Sequence, residues 1–384
     1  MSHQVDVCVV GSGPSGLGAA IECARYGLSV IVLDSNLQAG GQLNKQIHKF
    51  FGSSAHRAGT RGILIAQELL EEALSLGVRV WLDSEVYSVS NDLSLQILKG
   101  VRASKVTADR AAHPCTLMCR YLVIATGASE KPALFPGWTL PGVMSAGAVQ
   151  TMMNLERVLP GRNFIVVGAG NVGLIVAYQL LQAGAQVSCV VESNKEIGGY
   201  AVHAAKIRRC GVPILTETTV IRVLGIDQVE AAEIGRIGTD WNRKDSARKR
   251  ICVDTVCMAV GLKPYARLAS LAGCAFGYYP QLGGWVPLHD EYMMTTKQNV
   301  YVVGDASGIE EGGIAEDEGR LAGLDIALRE NPWERNLDLN RNRVRERLWE
   351  NRSGEYMRDK GDAKRDVISR WHNLSDPSGP YDAF

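Results

Sequence analysis

Three glycines, at positions 11, 13 and 16, sit between the apolar run Val5-Asp-Val-Cys-Val-Val10 and a stretch that repeats apolar residues at helical spacing, Leu17, Ala20, Ile21 and Ala24. A second apolar run, Val30-Ile-Val-Leu33, ends in Asp34. Strand, glycine turn, helix, strand and acid in this order make a dinucleotide-binding fingerprint. Gly11 permits the tight turn, Gly13 lets the backbone approach a pyrophosphate, and Gly16 lets the helix pack on the strand. Pro14 suits the first helical position, where its missing N–H has no intrahelical partner. The free N–H groups and partial positive charge of this helix end, with Ser15 among them, favour a phosphate. Asp34, with Ser35 beside it, is placed to accept from ribose hydroxyls. The pattern then recurs. Phe164-Ile-Val-Val167 leads into glycines 168, 170 and 173, Asn171 and Val172 open the next helix, and a strand over 187–191 ends in Glu192. Two fingerprints in one chain indicate a duplicated nucleotide-binding unit. An acid at Glu192 suits a free ribose diol and repels a 2′-phosphate, which favours NAD(H), or the same half of ATP or ADP, over NADP(H).

The elements that position these residues read off the same pattern. The first helix stops at Gly27, where a C-terminal glycine belongs. Residues 60–76 predict an amphipathic helix through Ile63, Ala66, Leu69, Leu70 and Ala73. Strands follow at 78–82 and 85–89, then a meander to about Met118 and a separate buried strand over 121–127 that ends at Ala125-Thr-Gly127. Residues 251–260 predict one strand ending at Gly261, and 299–303 a last buried strand that delivers Gly304 and Asp305. Gly312-Gly-Ile-Ala315 opens a helix whose N-terminus would favour negative charge. The loop over 40–52 is too long for a plain connector and carries Lys45, His48 and Lys49. Of these, His48 is the candidate catalytic residue; a polar loop in solvent or in a subunit interface is the competing reading.

The 384 residues suffice for two or three domains. Lys+Arg and Asp+Glu each number 41. That balance argues against nucleic-acid binding or attraction to an anionic membrane. A first strand so close to Met1 leaves no room for a signal peptide. The most apolar region, 164–191, is broken by glycines and polar residues, so it reads as a nucleotide-binding unit and not a membrane span. Nine dispersed cysteines point to a reducing, cytoplasmic setting. No Cys-x-x-Cys occurs. Cys115 and Cys119 share a strand face too far apart to bridge, and Cys252 and Cys257 face opposite ways. All nine read as structural, so the reductive output is not a protein dithiol. No metal-ligand spacing is present. His203 and His289 read as packed or surface histidines, and Arg208 and Arg209 as solvated charges. Past Asn331 both charge signs become dense among Trp333, Trp349, Tyr356 and Trp371, with a helix predicted over 341–360. This arm either packs on its own chain or docks onto a partner protein.

Together, the two fingerprints, Gly40-Gly-Gln-Leu43, Ala125-Thr-Gly127 and Val303-Gly-Asp-Ala306 resemble the two-dinucleotide flavoproteins, of which thioredoxin reductase is a compact member. The likeness spans residues 5 to about 328. It implies an α/β fold of two Rossmann-like, three-layer ββα/βαβ domains, the second inserted into the first. FAD-binding segments are expected at 1–128 and 261–330, the inserted NAD or adenine-nucleotide domain at 129–260, and a charged C-terminal arm at 331–384. FAD would rest on Gly11, Gly13, Pro14, Ser15, Gly16, Asp34 and Ser35 by the fingerprint. By resemblance, Gly41, Gln42, Leu43, Val86, Ala125, Thr126, Gly127, Gly304, Asp305, Ile314 and Ala315 join them. The second nucleotide, NAD(H) or a fixed ATP or ADP, would rest on Gly168, Gly170, Asn171, Val172, Gly173, Glu192 and Gly261.

A narrower likeness rests on Gly40-Gly-Gln-Leu43, the segment 46–53, Phe135-Pro-Gly-Trp-Thr-Leu-Pro-Gly-Val143 and the run to Gly319-Arg-Leu-Ala-Gly323. These are similar to the flavoprotein α subunits of heteromeric amine and amino-acid dehydrogenases, among them proline dehydrogenase, sarcosine oxidase, opine oxidase and hydrogen cyanide synthase. The resemblance implies an FAD-dependent oxidoreductase that serves as the electron-transfer subunit of such a complex. The C–N bond would be oxidised by a flavoprotein β subunit, in a hetero-oligomer without membrane insertion. Some relatives carry a cysteine-rich tail for an iron–sulfur cluster. Here the last cysteine is Cys274, so any cluster would belong to a separate small iron–sulfur protein. The alternatives are a stand-alone NADH:acceptor reductase, serving a ferredoxin or quinone, and a scaffold subunit with a structural adenine nucleotide.

Overall fold

A computed structural model of the chain describes residues 2–50, 57–102, 112–237 and 248–375. It divides into two units, Met1–Ser129 with Lys263–Phe384, and Glu130–Leu262 between them.

The first unit is built on a seven-stranded sheet. Its strands are β1 (Ser2–Val10), β2 (Val30–Leu33), β3 (Arg79–Trp81), β4 (Ser84–Val89), β5 (Ser94–Lys99) and β6 (His113–Ile124), in the order β3-β2-β1-β6-β5-β4, and Val300–Val302 also pairs with β6. β3, β2, β1, β6 and Val300–Val302 run parallel; β6, β5 and β4 are antiparallel. Strands covered on both faces read as unbroken apolar runs, and Val7, Cys8, Val9 and all of β2 are buried accordingly. The sequence predicts the meander and a strand over 121–127 as separate pieces. They are one twelve-residue strand, whose first half pairs with β5 while its last three residues also pair with Val300–Val302.

Helix α1 (Pro14–Arg25) crosses the long helix Gly312–Glu330 at very short range. The reason is three glycines. A methyl on Gly319 would lie 1.9 Å from the Ser15 carbonyl oxygen, one on Gly323 2.6 Å from that of Ala19, and one on Gly18 3.0 Å from that of Glu316. Helix α2 (Gly62–Ser75) buries Ala66, Leu69 and Ala73 in the same core, with Leu70 packed against it, as its periodicity predicts; Ile65, and not the expected Ile63, completes the buried face.

The second unit repeats the plan. Its parallel sheet runs Ile214–Leu215, Gln186–Val191, Asn163–Val167, Thr255–Met258, Val143–Ser145. A three-stranded antiparallel sheet joins Thr218–Leu224, Ala231–Arg236 and Lys249–Cys252. The single strand expected over 251–260 is thus two strands in two sheets. The break falls at Asp254, whose carboxylate turns to accept the backbone N–H groups of Arg162 and Asn163.

The arm differs from expectation as well. One helix over 341–360 is predicted; two form, Arg335–Arg352 and Arg358–Ser375, with the break at Ser353-Gly354. The arm packs on its own unit. Leu337, Val344, Leu348 and Met357 join the main core, and Ala363 and Val367 pack with Tyr279, Leu282 and Leu288. No helix among the described residues is long and apolar enough to cross a membrane.

Candidate functional site

The first glycine turn divides its work among its residues. Gly11 has φ +111°, and a side chain there would meet the Ala125 carbonyl oxygen at 2.1 Å; one on Gly16 would meet the Gly11 carbonyl oxygen at 1.9 Å. These two glycines are required by packing. Gly13 is different, since a methyl there meets nothing within 4 Å. Its space opens in front of the α1 N-terminus, where the first N–H groups have no intrahelical partner and no side chain caps them. A diphosphate fits such a cradle. The loop after β2 closes beside it. Gly40 donates its N–H to the Ser12 carbonyl at 2.9 Å, and a methyl on Gly41 would lie 2.9 Å from the Gly13 Cα.

Asp34 is held more tightly than its sequence reading implies. Oδ2 accepts from both the N–H and the hydroxyl of Ser12, and Oδ1 from both the N–H and the side-chain amide of Asn36. A carboxylate offers about four acceptor positions. A ribose diol could be accepted by Asp34 only with the Ser12 hydroxyl or the Asn36 amide displaced, so these two residues control whether the carboxylate is open. Beyond Ser35 a cleft of about 350 Å³ is lined by Asp83, Glu85, Val101 and Arg102. Val86 does not line it; its side chain packs against the core of the sheet. Of the lining residues the sequence marks only Ser35, because the others come from strand ends with no motif.

The other predicted residues gather at the same place. Gly304 has φ +65°, and a methyl on it would stand 2.5 Å from the Ser15 hydroxyl oxygen and 3.6 Å from the Ala315 Cβ. The Gly304–Ser307 turn, the first turn of α1 and the start of the long helix thus meet. Asp305 follows Gly304, and burial raises its carboxyl to about 6. Ile314 and Ala315 are buried in that helix start. Gln42 is exposed, whereas Leu43 turns its side chain into the core and can offer a ligand only its backbone. The Thr126 hydroxyl donates to the Tyr265 carbonyl, and Tyr265 N–H donates to that of Gly127 at 2.8 Å, so both residues are used by the turn itself. His48 stacks on Phe50 with centroids 5.6 Å apart, and the Phe50 ring reaches to 3.3 Å from a methyl position on Gly312. That places the predicted loop beside the N-terminus of the long helix. Phe51, Gly52 and Ser53 lie outside the described residues.

The second turn mirrors the first. A side chain on Gly168 would meet the Ala259 carbonyl oxygen at 2.3 Å, one on Gly173 that of Gly168 at 2.0 Å, and one on Gly170 nothing within 4 Å. Val172 is exposed on the first turn of the helix Asn171–Gln182. Gly199 donates to the Ala169 carbonyl at 2.9 Å and would clash with Gly170 if it carried a methyl, as Gly40 and Gly41 pack on the first turn. Tyr200 N–H donates to the Asn171 side chain at 2.8 Å. Gly198-Gly199 is a further residue pair of this site that no fingerprint contains; its sequence signal is a glycine pair at the same distance past Glu192 as Gly40-Gly41 past Asp34. Glu192 accepts from Ala169 N–H on Oε2 and from Asn194 N–H and Ser193 hydroxyl on Oε1. With alanine where the first turn has Ser12, Oε2 keeps an acceptor position for a ribose hydroxyl. Gly261 has φ +115° and accepts from Lys131 N–H.

Residues 5–319 match the family described as pyridine nucleotide-disulphide oxidoreductase. The chain belongs to that family. It is accordingly an FAD-dependent oxidoreductase with a two-unit dinucleotide-binding fold. It is 28% identical to an opine oxidase subunit of Agrobacterium tumefaciens (strain Ach5), over 84% of this chain and 65% of that protein. The chain therefore spans just under two thirds of this relative. Among solved structures, L-proline dehydrogenase from P. horikoshii aligns with TM-score 0.65 at 22% identity, over 90% of this chain and 60% of that one. Thioredoxin reductase of T. acidophilum aligns with TM-score 0.68 at 20% identity, over 86% and 99%.

For a pyridine nucleotide-disulphide oxidoreductase the chain is poor in reactive thiols. All nine cysteines are free. Burial pushes Cys8, Cys23 and Cys257 far up, and Cys189 to about 11, so these thiols stay protonated. Exposed Cys210 and Cys252 stand in the second unit. No group of three metal-binding side chains exists among the described residues.

Proposed function

We propose that this chain is the electron-transferring subunit of a heteromeric amine or amino-acid dehydrogenase, with FAD on the first unit. The observation that carries the reading is the open space at Gly13, set at a free helix N-terminus and closed in by Gly41. Gly304 seats against the same turn. Bound there, FAD would supply two-electron chemistry. The chain's own part is to hold the diphosphate on the N–H groups of Gly13, Ser15 and Gly16, to orient the ribose through Asp34, and to present the N-terminus of the long helix to developing negative charge. The absence of a Cys-x-x-Cys sends the electrons elsewhere than a protein dithiol. The named relatives include one component of opine oxidase and a proline dehydrogenase, which supports a C–N-oxidising partner subunit carrying the substrate site, with a small iron–sulfur protein or NAD as the further redox partner.

A second reading concerns the nucleotide of the inserted unit. Gly199 closes on its glycine turn as Gly40 and Gly41 close on the first, and Glu192 keeps an acceptor position, which suits the adenosine diphosphate half that a retained ATP or ADP shares with NAD(H); we infer the retained nucleotide as the alternative to an exchanging one.

The test is anaerobic mixing of the purified flavoprotein with NADH. No bleaching of the flavin, with ATP or ADP released only on denaturation, supports both readings. Rapid bleaching by NADH alone removes the structural-nucleotide reading, and NADH-driven turnover of a ferredoxin or quinone without any partner subunit replaces the first reading with a self-sufficient NADH:acceptor reductase. Bleaching by an amine only after the partner subunit is added is the expected positive result. A chain whose bound flavin no donor reduces, with or without the partner, is a scaffold.

A further inference from the structure

Behind the Gly304 turn lies a set of buried charged and polar groups that the site itself does not use. Arg352, Lys364, Glu318, Ser307 and His289 are each at most 1% exposed. Glu318 stands at the centre. Its Oε2 accepts from Gly304 N–H at 2.7 Å and from the Ser307 hydroxyl at 2.7 Å. Its Oε1 accepts from Lys364 Nζ at 2.8 Å and from Arg352. Lys364 also donates to the Ser307 hydroxyl at 2.7 Å and carbonyl at 3.0 Å. Arg352 makes a two-pronged bond to Glu310, at 2.9 and 2.6 Å. Two cations face two carboxylates, so the set is neutral.

The cations come one from each arm helix. The helices are held together where Gly361 meets Arg352, since a methyl on Gly361 would lie 2.6 Å from the Arg352 carbonyl oxygen. Ser307 belongs to the turn, Glu318 to the long helix and Glu310 to the link between them. An apolar contact would hold the arm as well, for buried ion pairs add little net stability over well-packed apolar groups. What the ions add is direction. Glu318 can hold the Gly304 N–H and the Ser307 hydroxyl only while its other oxygen is neutralised. With either cation gone, a buried carboxylate is left uncompensated beneath the turn.

We propose that Lys364 and Arg352 are positioning residues of the flavin site, setting the Gly304–Ser307 turn through Glu318 so that FAD binding and seating of the C-terminal arm are one coupled equilibrium. This rests on FAD occupying the first unit. Linkage then requires reciprocity: whatever the seated arm contributes to FAD affinity, FAD contributes to seating the arm.

The experiment uses the full chain, as purified and after removal of FAD. Amide hydrogen exchange across Arg358–Ser375 is expected to slow about tenfold or more when FAD is present. Equal exchange in the two states overturns the proposal. In parallel, FAD is titrated into stripped wild type, Lys364→Met and Lys364→Arg, with ADP binding to the second unit as the check on folding. The Met variant is expected to bind FAD about tenfold or more weakly with ADP binding kept, and the Arg variant to recover part of the loss. A folded Met variant with wild-type FAD affinity overturns the proposal. If that variant fails to fold, the wild-type exchange measurement decides alone. Wild type that takes up no FAD removes the underlying reading too, whereas wild type that binds FAD without an exchange response removes only the coupling.

Discussion

His289 shows how one buried side chain carries a pH dependence. Its Nδ1–H donates to the Asp290 carbonyl at 2.8 Å, which leaves Nε2 as an acceptor facing Lys364 Nζ at 3.4 Å. Burial first, and then Lys364, hold its pKa well below the ordinary 6.5; Arg352 and Glu310 also act on it, with opposite signs. In the unfolded chain the imidazole takes up a proton near pH 6.5, while in the folded chain it stays neutral to much lower pH. The unfolded state therefore binds more protons as pH falls, and stability is lost below about pH 6.5. Asp290 and Asp305, raised to about 6 by burial, act in the opposite sense, because the folded state holds their protons longer. Both remain when His289 is replaced. The expected result is that the urea midpoint of His289→Gln drops less than that of wild type between about pH 7 and pH 5, with the difference growing as pH falls. Parallel curves would mean that another group titrates there.

At the scale of elements, the crossing of α1 and the long helix fixes where Ser15 and Gly304 meet. Periodicity alone does not reveal this helix as a core element, because Glu316, Asp317, Glu318 and Asp325 are buried along it. In the sequence these acids look solvated, and so do the arginines of the arm. Each set gains its meaning from the other: Arg347 pairs with Asp317, Arg341 with Asp325 at 2.7 Å, and Arg352 with Glu318. Pairings across such sequence distances leave no local signal, so the sequence alone is compatible with both a tail on its own chain and a docking element. The glycines were legible but not their purpose. Gly319→Ala is expected to force the helices apart, since its methyl lands 1.9 Å from the Ser15 carbonyl oxygen. The cost should be about 1–3 kcal/mol by urea unfolding, with FAD affinity falling alongside because Ser15 moves. A loss within error of zero would show that the crossing relaxes freely.

At the scale of the whole molecule, the duplication was legible because a glycine turn between two buried strands needs the same few residues wherever it forms. The two-unit architecture and most of the residues around both turns follow from that requirement. What escaped was geometry set by hydrogen bonding: the saturation of Asp34 by Ser12 and Asn36, and the open acceptor position on Glu192. The two turns also separate packing glycines from cradle glycines, and this yields a test of both sites at once. Gly13 and Gly170 have φ of −70° and −73°, ordinary for any residue, and a methyl on either meets nothing within 4 Å. Valine at either position should leave the fold intact and fill the space a diphosphate needs. Gly13→Val is expected to yield a folded, colourless protein that still retains adenine nucleotide, and Gly170→Val a yellow protein without it. Circular dichroism, flavin absorbance and nucleotide release on denaturation read the three quantities. Loss of both ligands in either variant would mean that the cradles are not independent, and retention of FAD by Gly13→Val would remove the first turn from the flavin site.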